Sequence, residues 1–246
     1  MTSEIKRYAA KALYWMILAA TLIARGFLAY FDFKEFKHEP DGYLDLAVDY
    51  WNKAGSLSLA LLILIVLIHQ FSLDKETGAD TVIHTARHGR RRLYLERLGA
   101  GVVMTVFSVA ILGLGNYVIS YFMSPVGVHM RDALAPYIES TLITLVGGIG
   151  FFLASSFVCD VVASHPAAIC ICGFPYVFSY LVYSMVDNIF LEPFDLFWFL
   201  KYGTFTELVR GRWITTVPVF WCIWYPMVIA GLFALSLYKR KERKQL

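Results

Sequence analysis

Five stretches of twenty or more residues contain no Asp, Glu, Lys or Arg: 54–73, 98–123, 140–159, 161–186 and 213–238. A sixth, 12–31, is interrupted only by Arg25. A helix needs roughly 20 mostly apolar residues to cross the hydrocarbon of a bilayer. Backbone amides in lipid must find their partners within a helix or a closed barrel. Barrel strands alternate apolar and polar residues in segments of about ten, which these solid runs do not do. With 58% hydrophobic and 17% charged residues, the chain is also too apolar to cover itself with polar surface in water. The pattern predicts an all-α membrane protein, one transmembrane domain over residues 1–246, with six spans near 12–31, 54–73, 98–123, 138–160, 165–186 and 214–238.

Lys and Arg set the expected orientation. The N-terminal tail, the insert 74–97 and the C-terminal tail hold 14 of the 22 basic residues, and six spans put all three on one side. The intervening segments 32–53, 124–137 and 187–212 hold 7 basic residues against 11 acidic ones. Both termini are therefore expected in the cytoplasm, with the protein a multi-pass component of the cell membrane. The tail "YKRKERKQL" fits anionic lipid headgroups. The net charge of +3 is thus a topology signal and implies no nucleic-acid partner. The first apolar run is too long for a signal-peptide core and lacks a small-residue cleavage site, so the first span is expected to be retained. Before it, Ile5, Tyr8, Ala9, Ala12 and Leu13 share a helical stripe, as in a helix lying in the membrane interface.

Several chemistries find no support. The sequence contains no G-x-x-x-x-G-K-[ST] phosphate loop, and the glycines of "LVGGIGFF" lie inside a span, where they read as close helix packing. The H-E-x-x-H, G-x-S-x-G and paired-aspartate patterns are also lacking, so no catalytic residue is assigned. Cys159, Cys170, Cys172 and Cys222 all fall in apolar spans and are expected to be small buried hydrophobes, with neither a disulfide nor a metal. His84 and His88 share a helix face at i, i+4, but no third ligand follows at useful spacing. Glu139, Asp160, His69 and His165 lie at expected helix ends, where interfacial water solvates them.

Two connecting segments carry further structure. Residues 187–213, rich in aromatics and broken by charges, suit a short external hairpin. "YLDLAVDYW", within the acidic segment 32–53, suits a short helix.

The stretch "DKETGADTVIHTARHGRRRLYLERL", residues 74–98, crowds ten charges between two spans. Gly78 allows the chain to turn out of the second span, and Thr77 with Asp80 forms a weak capping pattern. Residues 79–88 then read as a short amphipathic helix carrying Val82, Ile83 and Ala86, and Gly89 suits the left-handed position that ends a helix. A rigid helix there can dock into a groove of a soluble partner. The stretch resembles the segment after the second span in the type-2 permease class of ATP-binding-cassette exporters. Glu76, Gly78, Val82 with Ile83, Thr85, Gly89 with Arg90, and Arg97 carry the likeness. Ala79 with Asp80, and Arg97 where that class usually has Lys, depart from it.

The resemblance implies a coupling helix, including Asp80 and Arg87, that seats in a cleft of a separate ATPase subunit. It also implies two copies of that ATPase, a second permease chain of the same or a related kind, and export. ATP and Mg would then be bound by the partner, and this chain would itself be no enzyme.

Tyr176, Tyr180 and Tyr183 lie on one face of the fifth span, and tyrosines can line a path for amphipathic cargo. In the resembled class the first, second and fifth spans face the dimer axis, which singles out these tyrosines and Arg25. Arg25 either pairs with an anionic group or snorkels outward. The expected cargo is amphipathic or lipophilic: an antimicrobial peptide, a drug or a lipid-like molecule. A membrane-embedded enzyme or sensor using His84, His88 and Asp160 is the competing expectation.

Overall fold

A computed structural model describes residues 5, 11–35, 49–52, 54–76, 89–124, 131, 134–161, 167 and 170–173. Among them there is no strand; four long helices carry the fold. These are α1 (Ala12–Glu35), α2 (Ala54–Glu76), α3 (Gly89–Phe122) and α4 (Leu134–Val161), with a short 3-10 turn at Asp49–Asn52. Three of them contain stretches long and apolar enough to cross a membrane: Ala12–Phe31, Tyr94–Phe122 and Tyr137–Cys159. In α2 the corresponding apolar stretch, Leu57–Ile68, is shorter.

The side-chain contacts fix the direction of each helix. Tyr14 reaches Ser108, Leu22 packs on Gly115, and Arg25 reaches Asn116 and Ser120, so α1 and α3 run the same way. Asn116 meets Tyr137, Thr105 meets Gly148 and Gly101 meets Phe152, so α4 runs opposite to α3. Trp51, just before α2, meets Thr141, while Leu59 and Ile63 meet Gly148, so α2 runs with α4. The order is up, down, up, down. One end of the bundle gathers the start of α1, the end of α2, the start of α3 and the end of α4. The other gathers the end of α1, the 3-10 turn, the end of α3 and the start of α4.

The interior is mainly apolar, but hydroxyl and amide side chains are hidden within it while large apolar side chains cover the outside. Thr105, Ser108, Asn116 and Ser120 of α3 and Ser140, Thr144, Ser155 and Ser156 of α4 are buried. Leu114 and Val118 of α3, and Ile138, Leu142 and Val146 of α4, are exposed. Apolar side chains gain nothing from leaving lipid, so association relies on close packing and on polar groups hidden inside. The small hydroxyl residues find partners locally: Thr105, Ser108, Thr144 and Ser156 each donate to the carbonyl four residues earlier, at 2.8 to 2.9 Å. Glycine supplies the close approach. A Cβ on Gly148 would sit 3.1 Å from Leu59 and 3.3 Å from Thr105, and one on Gly101 would run into the ring of Phe152. Gly148 of "LVGGIGFF" thus serves the packing read from the sequence.

Two expectations change. The third helix begins at Gly89, nine residues before the expected 98, so Gly89 opens α3 and is no stop between two helices. The run Arg90–Arg97 contains good helix formers and nothing that breaks a helix, so the helix extends past the apolar region. At 34 residues, α3 is about 50 Å long, well beyond the roughly 30 Å hydrocarbon core. Likewise α2 continues to Glu76, three residues past the expected 73. Of the expected interfacial stripe, Ile5 is helical and packs against the core, Ala12 and Leu13 lie in the first turn of α1, and Tyr8 and Ala9 lie outside the described residues. Of the fifth span, Ala167 and Cys170–Gly173 are helical, with Gly173 beside Leu64. The sixth span and the external hairpin lie outside the described residues.

Candidate functional site

Arg25 does not snorkel outward. It sits nearly three turns before the end of α1 and is 6% exposed, directed into the bundle. Its Nε donates to Asn116 Oδ1 at 2.6 Å and its Nη2 to Ser120 Oγ at 3.3 Å. Asn116 and Ser120 lie four residues apart on α3 and so present both acceptors from one face. Asn116 passes the chain on, donating through Nδ2 to Tyr137 Oη at 3.0 Å. Tyr137 in turn donates to the carbonyl of Gly113 at 2.7 Å. Three helices are thereby tied at one depth by a cation, an amide and a phenol. Burial of a charge in low dielectric is tolerable only with such donor–acceptor matching.

The 3-10 turn closes this end. Trp51 is 0% exposed; its indole N–H donates to Thr141 Oγ1 at 3.0 Å, and its ring faces Gly113. Thr141 also donates to the carbonyl of Tyr137, which links the turn to the same cluster. Tyr50, 3% exposed, tilts against Trp51 and presents its ring to Arg25, with the guanidinium carbon 5.9 Å from the ring centroid. The quadrupole of the ring favours a cation at this distance. Burial pushes the Tyr50 phenol well above its ordinary range; neighbouring Tyr137 adds to the shift and the charge of Arg25 partly offsets it. The Tyr50 hydroxyl and the Ser140 hydroxyl are both buried with no hydrogen-bond partner among the described residues.

The cluster is rich in donors: a guanidinium, phenols and hydroxyls. Such an array can receive hydrogen-bond acceptors and negative charge. Among the described residues no group of three or more His, Cys, Asp or Glu is gathered in metal-binding fashion.

At the opposite end, Cys159 and Cys172 are buried and Cys170 is exposed; none of the three is in a disulfide. The expectation that every cysteine is buried therefore fails at Cys170, which faces away from the bundle two residues before its neighbour turns inward. Cys172 Sγ donates weakly to the carbonyl of Ser155 at 3.9 Å, which sets the start of the fifth helix against α4.

Of the residues singled out from sequence, only Arg25 falls in this cluster. Glu76 ends α2, and Gly89 and Arg90 begin α3. Gly78, Asp80, Val82, Ile83, Thr85 and Arg87 lie outside the described residues, as do Tyr176, Tyr180, Tyr183, His84 and His88. Sequence reasoning missed Tyr50, Trp51, Asn116, Ser120, Ser140 and Tyr137. One of them had a signal: Asn116 is the only Asn, Gln or charged residue in the stretch 98–123. Comparison of the chain with protein-family models, with curated proteins and with solved structures finds no match in any of the three.

Proposed function

We propose that the chain is the permease subunit of an ATP-binding-cassette exporter in the cell membrane, with both termini in the cytoplasm. Two permease chains, identical or related, form the pathway, and two copies of a separate ATPase subunit bind ATP and Mg and supply the work. The observation that carries the reading is the charged insert, residues 74–98, with its resemblance to the coupling segment of that class. One feature of the fold supports it: the helices on either side of the insert run in opposite directions, so the insert, whose residues 77–88 lie outside the described residues, connects them at one end of the bundle.

The cargo is amphipathic or lipophilic, an antimicrobial peptide, a drug or a lipid-like molecule; Tyr176, Tyr180 and Tyr183 of the fifth span would line its route with Arg25. The outward direction follows from the resemblance. In the test, the chain is co-expressed with a candidate ATPase and purified in lipid. The complex should copurify, hydrolyse ATP faster with a transported amphiphile, and fall apart when Val82 and Ile83 are both changed to Asp. A preparation that binds no ATPase but retains stoichiometric metal sinks the proposal.

A further inference from the structure

We propose that Cys159 and Cys172 are a redox-active thiol pair, converted by a hydroperoxide into a disulfide that locks the start of the fifth helix to α4. The inference needs only the packing of these two helices and holds whatever the chain transports.

The two thiols come from different helices and meet inside the bundle. Cys159 lies in the last turn of α4 and is 5% exposed; Cys172, near the start of the fifth helix, is 4% exposed. Cys172 Sγ sits 3.9 Å from the carbonyl oxygen of Ser155, one turn before Cys159. A helical side chain leans towards the N-terminus of its helix, so the Cys159 thiol tilts over that same turn. There it is hydrogen-bonded to Cys172. Neither cysteine is in a disulfide, yet two sulfurs in hydrogen-bond contact already have the juxtaposition that an S–S bond of about 2.0 Å requires. Cys170 provides the contrast: two residues before Cys172, it is exposed on another face of the helix. Two thiols alone do not complete the four-ligand set of a structural zinc, and among the described residues no larger group of metal ligands is gathered around them. Sulfur redox chemistry is what such a pair can perform.

The reaction balances with the hydroperoxide as oxidant. One sulfur attacks a peroxide oxygen: the O–O bond breaks, a sulfenic acid forms, and water leaves, or an alcohol when the hydroperoxide is a lipid's. The second sulfur attacks the sulfenic sulfur, forming the S–S bond and releasing the hydroxyl as water with the second thiol's proton. The sulfurs lose two electrons and the peroxide gains them. Hydrogen peroxide is small and uncharged, which suits it to thiols that bulky reagents do not reach. In the proposed orientation this end of the bundle is cytoplasmic, where thiols are kept reduced and disulfides are transient and redox-sensing. The resting pair is then the dithiol, and oxidation fastens the fifth helix to α4 and stops any motion that would part them.

The test uses the full chain purified in neutral detergent. The protein is exposed to hydrogen peroxide, freed of the excess, denatured, alkylated with a maleimide, and cut before Asp160, which separates Cys159 from Cys172. Two of the four thiols should be lost to the maleimide and both recovered by dithiothreitol. The peptides carrying Cys159 and Cys172 should appear joined, lighter than their sum by two hydrogens, with Cys170 carrying the maleimide. Cys159→Ser and Cys172→Ser should each abolish the joined peptide, and Cys170→Ser should leave it intact. The oxidised parent should melt at a higher temperature than the reduced one, a difference that dithiothreitol removes. Peptide mapping of the parent needs no variant to fold. The proposal is overturned if all four thiols survive peroxide, if Cys159 and Cys172 are recovered singly as sulfinic or sulfonic acids, if Cys170 takes the place of either in the joined peptide, or if the joined protein melts as the reduced one does.

Discussion

Asn116 is the residue on which the interior polar chain depends, because it accepts from Arg25 and donates to Tyr137. Asn116→Leu removes both of these bonds while preserving volume, and takes from the buried guanidinium the acceptor of its shortest hydrogen bond. We expect a loss of about 2–3 kcal/mol, the range for a hydrogen bond to a charged group, read as a lower thermal midpoint in detergent. Tyr50→Phe should act in the opposite sense, stabilising the ligand-free protein by about 1–2 kcal/mol through loss of an unsatisfied hydroxyl. Tyr50 also gives a pH signature. The folded protein holds the phenolic proton more tightly than the unfolded chain, so this contribution is complete below the ordinary tyrosine value of about 10 and declines as pH rises above it. Between pH 10 and 11 the midpoint of the parent protein should fall more steeply than that of Tyr50→Phe; equal slopes would exclude Tyr50 as a source. Arg25 itself was visible in the sequence as a charge inside a span, but its inward direction was not. Whether such a side chain snorkels or turns in depends on acceptors some ninety residues away, and sequence spacing does not display them.

At the scale of elements, the seam between α3 and α4 depends on glycine. Gly101→Ala places a methyl against the ring of fully buried Phe152, which has little freedom to retreat. Overpacking of this kind costs about 1–3 kcal/mol. Phe152→Leu should relieve the strain, so the double variant should be more stable than the two single effects predict when summed. Hydropathy revealed the helices but misplaced their ends. It marks where hydrocarbon stops, whereas α2 and α3 persist for three and nine residues into charged sequence because arginine and glutamate continue a helix readily. The 3-10 turn was harder to read. Tyr50 and Trp51 lie in an acidic segment that reads as an external connection, yet Gly113 and Thr141, distant in sequence, provide the space and the acceptor that bury them.

For the molecule as a whole, the alternating helix directions put Lys34 and Arg131 near one end and Arg92 near the other. With the four native cysteines replaced, single cysteines at positions 34 and 131 should react with a membrane-impermeant maleimide added to intact cells, and one at position 92 only after lysis. Labelling of all three from outside would refute the proposed orientation. The up-down order and the apolar exterior follow from the apolar runs and from the need to satisfy polar groups out of water; the identity of the buried cluster needed three-dimensional proximity. That cluster also imposes a schedule on synthesis. Arg25 and Asn116 are 91 residues apart, which at about 5–20 residues per second separates their emergence from the ribosome by roughly 5–20 seconds. Throughout that interval α1 carries a cation for which Asn116 does not yet exist, at a cost of about 3 kcal/mol for an arginine at mid-membrane. The first helix therefore has reason to wait at the insertion machinery until the third arrives, and the two should enter the bilayer as a pair.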